Sequence, residues 1–355
     1  MTIVNYRLPA EWEKHKSTIL CWPHQKADWP GKLMPILWVY AEIIKRIAVS
    51  ELVRIIIQSQ KEIEKVQKYL QKAHVNLKNV EFIVAKTDRS WVRDFAPTFV
   101  KNGNEITALK FAFNGWAKYD NWTKDQFISD VLAKNLKLNL LEAKYQKKNV
   151  VLEGGAIDSN GCGSLLTTEE CLLDNKTQTR NPGFTRSDYQ QIFAKYLGIK
   201  NVIWLNKGIA GDDTHGHVDD FCRFVSKNTV ILCREKNPAD ENYRILEENF
   251  ERLTNVRLED SSKLNVINLP MPQPLYFQNL RLPASYANFY IANEVVLVPT
   301  FNDANDCLAL NILKECFLTR KVIGIHAVDL VWGLGTIHCL SHEEPDDIPK
   351  QKVQV

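Results

Sequence analysis

The chain has 355 residues, 45% hydrophobic and 25% charged, with a formal net charge of +3. That is enough apolar material for a sizeable core, and no long basic run interleaved with aromatics points to nucleic acid as a partner. No apolar segment is long enough to span a bilayer, and the first twelve residues lack the pattern of a signal peptide.

The run Ser17–Cys21 predicts a buried strand, and apolar spacing predicts helices over Ile36–Val49 and Lys61–Lys72. A hairpin is expected from Pro97–Val100 and Ile106–Phe111, around the turn Lys101-Asn102-Gly103-Asn104, and then a helix over Lys124–Asn135. The same order returns with Gly155–Asp158 and Ser164–Thr167, a helix over Ser187–Leu197 and the strand Val202–Leu205. It returns again with Arg223–Val225 and Thr229–Cys233 before a helix over Glu241–Leu253. The last set is Phe289–Ile291 and Val295–Pro299, a helix over Ala304–Phe317 and the strand Lys321–Ile325. The hairpin turns recur at intervals of roughly 60 residues, a repeat in structural pattern rather than in residues. A radial, propeller-like α/β arrangement fits this repeat, with the two ends of the chain sharing one unit. A doubly wound α/β sheet is the alternative, although no G-x-G-x-x-G follows the first strand to mark a dinucleotide site.

Eight cysteines are scattered along the chain, none in a C-x-x-C pair, which argues against zinc and thioredoxin-like chemistry. Reduced thiols in the cytoplasm are expected, with Cys233 and Cys316 as buried packing residues. Cys339 differs in its context, Gly333-Leu334-Gly335-Thr336-Ile337-His338-Cys339. Gly335 lets backbone approach a ligand closely, and a thiol beside a cation or base is activated.

Four acids and two histidines crowd into Asp212-Asp213-Thr214-His215-Gly216-His217-Val218-Asp219-Asp220. His215 and His217 are two apart, which is not the spacing of a helical zinc pair, and the EF-hand pattern is absent. If the segment enters the following strand, His217 and Asp219 point to one face as an acid/base and a cation-binding carboxylate. Asp94, in Trp91-Val92-Arg93-Asp94, is either half of a surface Arg–Asp pair or a carboxylate that accepts two N–H bonds from a planar cation under the face of Trp91. Glu153, in Glu153-Gly154-Gly155, is either an acid at a tight bend or the group that orients the imidazole. The aromatic stretch containing Trp116 either lines a pocket or packs a hairpin corner. A soft nucleophile, an imidazole and two carboxylates suit attack on a guanidinium carbon.

These residues resemble the agmatine deiminase family, within the guanidine-modifying enzymes that include arginine and peptidylarginine deiminases. The resemblance runs along nearly the whole chain, through Trp22-Pro23-His24, Trp91-x-Arg93-Asp94, Phe113-Asn114-x-Trp116, Glu153-Gly154-Gly155, Arg180-Asn181-Pro182, Gly216-His217-Val218-Asp219, Tyr286-Ala287-Asn288-Phe289, Asn302-Asp303-x-x-Asp306 and Gly335-x-Ile337-His338-Cys339. It implies one catalytic domain over 1–355, folded as a five-bladed, pentein-like α/β propeller of ββαβ-type units. It implies Cys339 as nucleophile, His217 as general acid and then base, Asp94 and Asp219 as the guanidinium grip, Glu153 as the partner of His217, and Trp91 as a pocket wall. Trp116 and Gly335 are expected to border the substrate, with Asp213 near its distal amine. No metal or cofactor has a role, and the expected partner is a small guanidine, with no nucleic acid or membrane; homo-oligomerisation is left open. The implied reaction is hydrolysis of agmatine to N-carbamoylputrescine and ammonia through a cysteine S-alkylthiouronium, in polyamine synthesis. Deimination of free or peptidyl arginine is the nearest alternative, followed by amidino transfer and by a non-catalytic binding protein on the same fold. Arg89, Ala96 and the additional residues Lys176-Thr177-Gln178-Thr179 depart from the family pattern.

Overall fold

The computed structural model describes residues 5–346. Five of its sheets repeat one pairing scheme: an outer strand antiparallel to a central strand, and the central strand parallel to a third. One sheet runs Thr98–Asn102, Glu105–Lys110, Asn139–Glu142. The next runs Asp158–Ser159, Ser164–Thr168, Asn201–Leu205, and another Cys222–Ser226, Thr229–Arg234, Asn265–Pro270. A fourth runs Tyr290–Ile291, Val295–Thr300, Lys321–His326. The fifth is closed by the end of the chain: Ser341–Pro345 lies antiparallel to His15–Cys21, which is parallel to Leu52–Ile57. Val80–Val84 adds a further parallel strand at its edge. The two ends therefore share one unit, as the repeat suggested.

Parallel neighbours need a crossover, and in each sheet a helix supplies it: Leu33–Ile47, Ile128–Leu136, Arg186–Leu197, Glu241–Leu253 and Asp306–Cys316. Each presents an apolar stripe to its sheet. Arg186–Leu197 is fixed at both ends, by a capping box between Thr185 and Asp188 and by Gly198 in the left-handed conformation. The helices expected from the sequence are present, with ends shifted by a few residues.

The differences lie in the strands. Asn139–Glu142 and Asn265–Pro270 are partly exposed edges without clean alternation. Ser341–Pro345 is polar yet mostly buried. Its His342 Nε2 donates to the Pro97 carbonyl at 2.9 Å, and Glu344 is engaged by Ser17 and Arg54. Charged side chains thus sit inside because partners await them. Gly155–Asp158 is not a strand: Gly154–Ala156 forms a 3-10 turn, and pairing is confined to Asp158–Ser159. Val218–Asp220 is likewise a 3-10 turn, with the strand starting at Cys222, so His217 and Asp219 do not alternate along a strand. Cys233 is buried, whereas Cys316 is only partly so.

Candidate active site

Each repeat delivers its polar side chain from the same place, the segment just before its outer antiparallel strand. Asp94 precedes Thr98–Asn102, Glu153 precedes Asp158–Ser159, and His217 and Asp219 precede Cys222–Ser226. Asn288 precedes Tyr290–Ile291, and Cys339 precedes Ser341–Pro345. These segments are short turns, so each side chain leaves a backbone that the sheet holds firmly.

Asp94 and Cys339 open onto a cavity of about 190 Å³, and His217 and Asp219 adjoin it through contacts with those two side chains. Trp91, Asp94, Trp116, Gly335 and Cys339 line it, and Asp213 stands at its mouth. Asp94 is buried, which excludes the surface ion pair, and Arg93 turns away from it to Glu343 at 2.8 Å. Asp94 instead accepts from Trp116 Nε1 at 2.8 Å and from the Gly155 N–H at 2.9 Å. Trp116 therefore fills both roles open to it, wall and support, with its backbone in the left-handed region at φ 58°.

His217 lies between the carboxylates. Its Nδ1 is 3.9 Å from both Asp94 Oδ1 and Asp219 Oδ1, and its Nε2 is 3.9 Å from Glu153 Oε2. Glu153 is held in turn by Arg180 Nε at 3.0 Å. His217 Nε2, Glu153 Oε2 and Asp219 Oδ1 are buried with no hydrogen-bond partner. Gly155 packs into this centre: a Cβ there would stand 2.5 Å from His217 Nδ1 and 3.1 Å from either oxygen of Asp219. Only glycine leaves that space to a ligand.

Cys339 is 8% exposed, so its sulfur is reached only through the cavity. Its Sγ accepts from Asn288 Nδ2 at 3.1 Å and lies 3.8 Å from Asp219 Oδ2. Asn288 is itself oriented by Thr336 Oγ1 at 2.7 Å and the His338 N–H at 3.1 Å, both donating to its Oδ1. A Cβ on Gly335 would stand 3.0 Å from Trp91 and 3.2 Å from Sγ, closing the approach to the sulfur.

Charge follows from this packing. Burial pushes the Cys339 thiol well up, and the carboxylates of Asp219, Asp220 and Asp94 push it further. Burial works against an imidazolium at His217, but Asp94, then Cys171 and Glu153, outweigh it, and His217 is held well above the ordinary range. Burial would raise Glu153, yet Arg180 and His217 bring it down to about 2. The resting floor thus pairs a protonated thiol with an imidazolium between carboxylates.

Residues 7–345 match the family described as the Porphyromonas-type peptidyl-arginine deiminases. The chain belongs to that family. A putative agmatine deiminase of Mycoplasma capricolum is 32% identical, with 95% of each chain covered. An agmatine deiminase structure from Enterococcus faecalis superposes with a TM-score of 0.87 at 26% identity, covering 97% of each chain. A C. jejuni agmatine deiminase carrying a Cys-to-Ser substitution, with substrate bound, gives 0.85 at 31% identity, again covering 97% of each.

Within this deiminase frame, the structure brings together all the site residues expected from the sequence. Both oxygens of Asp213 are engaged, by Lys118 and by Tyr119 Oη, the latter at 2.6 Å. Gln178, in the additional segment, donates to the carbonyls of Trp116 and Asp213 at 3.1 Å each and so shapes the mouth. Arg89 pairs with Asp28 and covers the Tyr119 ring at 4.5 Å. Asn288 and Arg180 had no assigned role, although each stands in a motif of the resemblance. Glu11 carried no sequence signal at all. Two trios, Glu153–Cys171–His217 and Asp219–Asp220–Cys339, have ligand-type atoms within 4.8 Å of one another. Within these trios Glu153 is bound by Arg180 at 3.0 Å and Asp219 lies 2.6 Å from His338 Nδ1.

Proposed function

We propose that this chain hydrolyses the guanidinium of agmatine to N-carbamoylputrescine and ammonia, with Cys339 as nucleophile. One observation carries the reading: two buried carboxylates flank His217 Nδ1 at 3.9 Å each, and a thiol stands beside one of them at the floor of a narrow cavity. That geometry fits a planar cation, since Asp94 and Asp219 each accept N–H bonds in the guanidinium plane. The bound cation offsets the three carboxylates that hold the thiol protonated, so binding favours the thiolate and the thiol proton leaves to solvent.

The Cys339 sulfur then bonds to the guanidinium carbon, and a C=N electron pair moves onto nitrogen. His217 passes its proton to the departing nitrogen, the C–N bond breaks, and ammonia leaves an S-alkylthiouronium. Neutral His217 takes a proton from water as the hydroxyl adds to the same carbon. The C–S bond breaks, returning the thiolate and releasing the ureido product with one proton. The fixed floor prepays much of the orientation entropy of both steps.

Agmatine is favoured over arginine because the cations at the mouth are already committed, Arg89 to Asp28 and Lys118 to Asp213. Neither is free for an α-carboxylate. The enclosed floor also suits a small molecule better than a peptide. We further infer that the five like sheets are blades of one propeller forming a single catalytic domain; the delivery of polar side chains from the same place in every repeat supports this. The eight free cysteines fit a reducing, cytoplasmic setting.

The test is ammonia release and product mass from agmatine, arginine and an arginyl peptide, with Cys339→Ala in parallel. An agmatine product in which oxygen has replaced an imino group, lost in the variant, is the expected result. Turnover of arginine or peptide instead would keep the chemistry and change the substrate. Transfer to an added amine would make the protein an amidinotransferase.

A further inference from the structure

Behind Cys339 lies a buried string, from Asp219 through His338 to Glu11, of which the steps above use only Asp219. His338 Nδ1 is 2.6 Å from Asp219 Oδ2, and His338 Nε2 is 2.7 Å from Glu11 Oε2. All three residues are buried. A neutral imidazole has one N–H and one lone pair. In that form the lone pair would face a carboxylate oxygen at contact distance on one side, so the two short contacts call for a hydrogen on each ring nitrogen.

Burial, then Arg223 and Arg93, press the imidazole well below the ordinary histidine range against the pull of Asp219; the two short carboxylate contacts, one on each ring nitrogen, argue for the charged ring against that pressure. Arg223 binds Glu11 at 2.7 Å, and Arg93 binds Glu343 at 2.8 Å. Two guanidiniums thus meet the carboxylates of Glu11, Asp219 and Glu343, which leaves one negative charge for the imidazolium to neutralise. Asp158, the remaining acid against Arg223, is pushed up to about 7 by burial. The Glu11 end borders a second cavity of about 40 Å³, whose rim includes the partly exposed Pro9, Thr98 and Glu343. Through it the string can exchange protons with water.

We propose that His338 is a positioning residue: held as an imidazolium between Glu11 and Asp219, it locks Asp219 with Oδ1 turned to the substrate and limits the negative charge beside the Cys339 sulfur. The proposal rests on the reading of Cys339 as nucleophile. It separates two contributions of one side chain. The Nδ1–H sets the direction of Asp219, and the positive charge offsets a carboxylate next to the thiol.

Two substitutions pull these apart. In His338→Asn the amide nitrogen takes the place of Nδ1 and still donates to Asp219, but the positive charge is gone. In Glu11→Gln the ring keeps its place and a negative charge is lost. The measurement is the pH dependence of alkylation of the free enzyme by iodoacetamide, read by mass spectrometry at Cys339. It needs no turnover, so it stands whether or not agmatine is the substrate. Ammonia release by the wild type tests that question separately.

For His338→Asn, the alkylation curve is expected to move to higher pH, with the rate near neutrality falling about tenfold. KM for agmatine should stay within about threefold while kcat falls at least about tenfold. Glu11→Gln should leave the curve in place or move it to lower pH. A His338→Asn curve superimposed on wild type, or both curves moving upward together, would overturn the proposal, because loss of packing alone would not separate the two variants. Circular dichroism confirms folding. Should the asparagine variant fail to fold, a slower alkylation in Glu11→Gln would overturn the proposal and an equal or faster one would support it.

Discussion

The floor and the mouth of the cavity are built from the same residue types and are finished differently. At the mouth every charge has a protein partner: Asp28 with Arg89, and Asp213 with Lys118 and Tyr119. At the floor, one polar atom each of His217, Glu153 and Asp219 is buried with no hydrogen bond, the nearest opposite charges standing 3.9 Å away. Leaving a buried polar atom unpaired costs about 1–3 kcal/mol, so the floor is unfavourable until something fills it. The mouth loses little by being empty. Binding energy and chemistry therefore concentrate at the floor, while the mouth tunes which molecule enters.

The comparison breaks most severely at Asp94. In Asp94→Asn one amide nitrogen must face a donor, either Trp116 Nε1 or the Gly155 N–H, and the negative charge that meets the substrate cation is lost. Removing one partner of a buried pair costs about 3–5 kcal/mol, which predicts a fall in kcat/KM of at least about 10²-fold. The same variant changes the pH profile. Asp94 is the leading group that holds His217 up against burial. A raised histidine stays protonated through neutrality and loses its proton only as pH climbs through the raised value. Wild-type kcat/KM should thus show no falling limb at the ordinary histidine position, and in Asp94→Asn the limb should move to lower pH. Steady-state rates across pH check both. A wild-type limb centred near 6.5 would show that His217 is not the proton donor.

Gly155→Ala probes the same floor by volume instead of charge. Its Cβ would stand 2.5 Å from His217 Nδ1, so the ring must move. A displacement on the order of 1 Å in a catalytic group costs about 10²-fold. The expected loss falls on kcat, with the thermal transition measured alongside to separate it from unfolding. An active enzyme with full kcat would mean that the floor is softer than its packing indicates.

Much of this floor was legible in the sequence because short motifs carry it. Cys339 after Gly335, His217 beside Asp219, and Glu153 before two glycines are local patterns, and local patterns survive in a linear reading. The helices were legible for a similar reason, since their apolar spacing is local. The polar strand Ser341–Pro345 was not, because His342 and Glu344 become interior residues only through Pro97, Ser17 and Arg54, which are far away in sequence. Glu11 stands more than three hundred residues from His338 and meets it only because the chain ends share a sheet. The expectation that His217 and Asp219 alternate along a strand was wrong in its geometry, yet a 3-10 turn brings them equally close. The charge at the mouth stayed open in the sequence, where Arg89 is only a departure from the family pattern; in the fold it is committed to an ion pair with Asp28.

The smallest effects belong to the mouth, and they sharpen the contrast by sign. Asp213 is engaged by Lys118 in a pair that solvent partly screens, since their side chains are 18% and 40% exposed. Such pairs contribute about 1 kcal/mol or less. A distal amine entering the cavity would replace the Lys118 ammonium on Asp213. Asp213→Asn should then raise KM for agmatine by about two- to fivefold with kcat nearly unchanged. Lys118→Met removes the competitor and should lower KM by a similar factor. Opposite shifts would identify Asp213 as the group that meets the amine. An unchanged KM in Asp213→Asn would sink that assignment, and a rise in both variants would make the Lys118–Asp213 pair a strut that holds Tyr119 and Trp116 against the cavity.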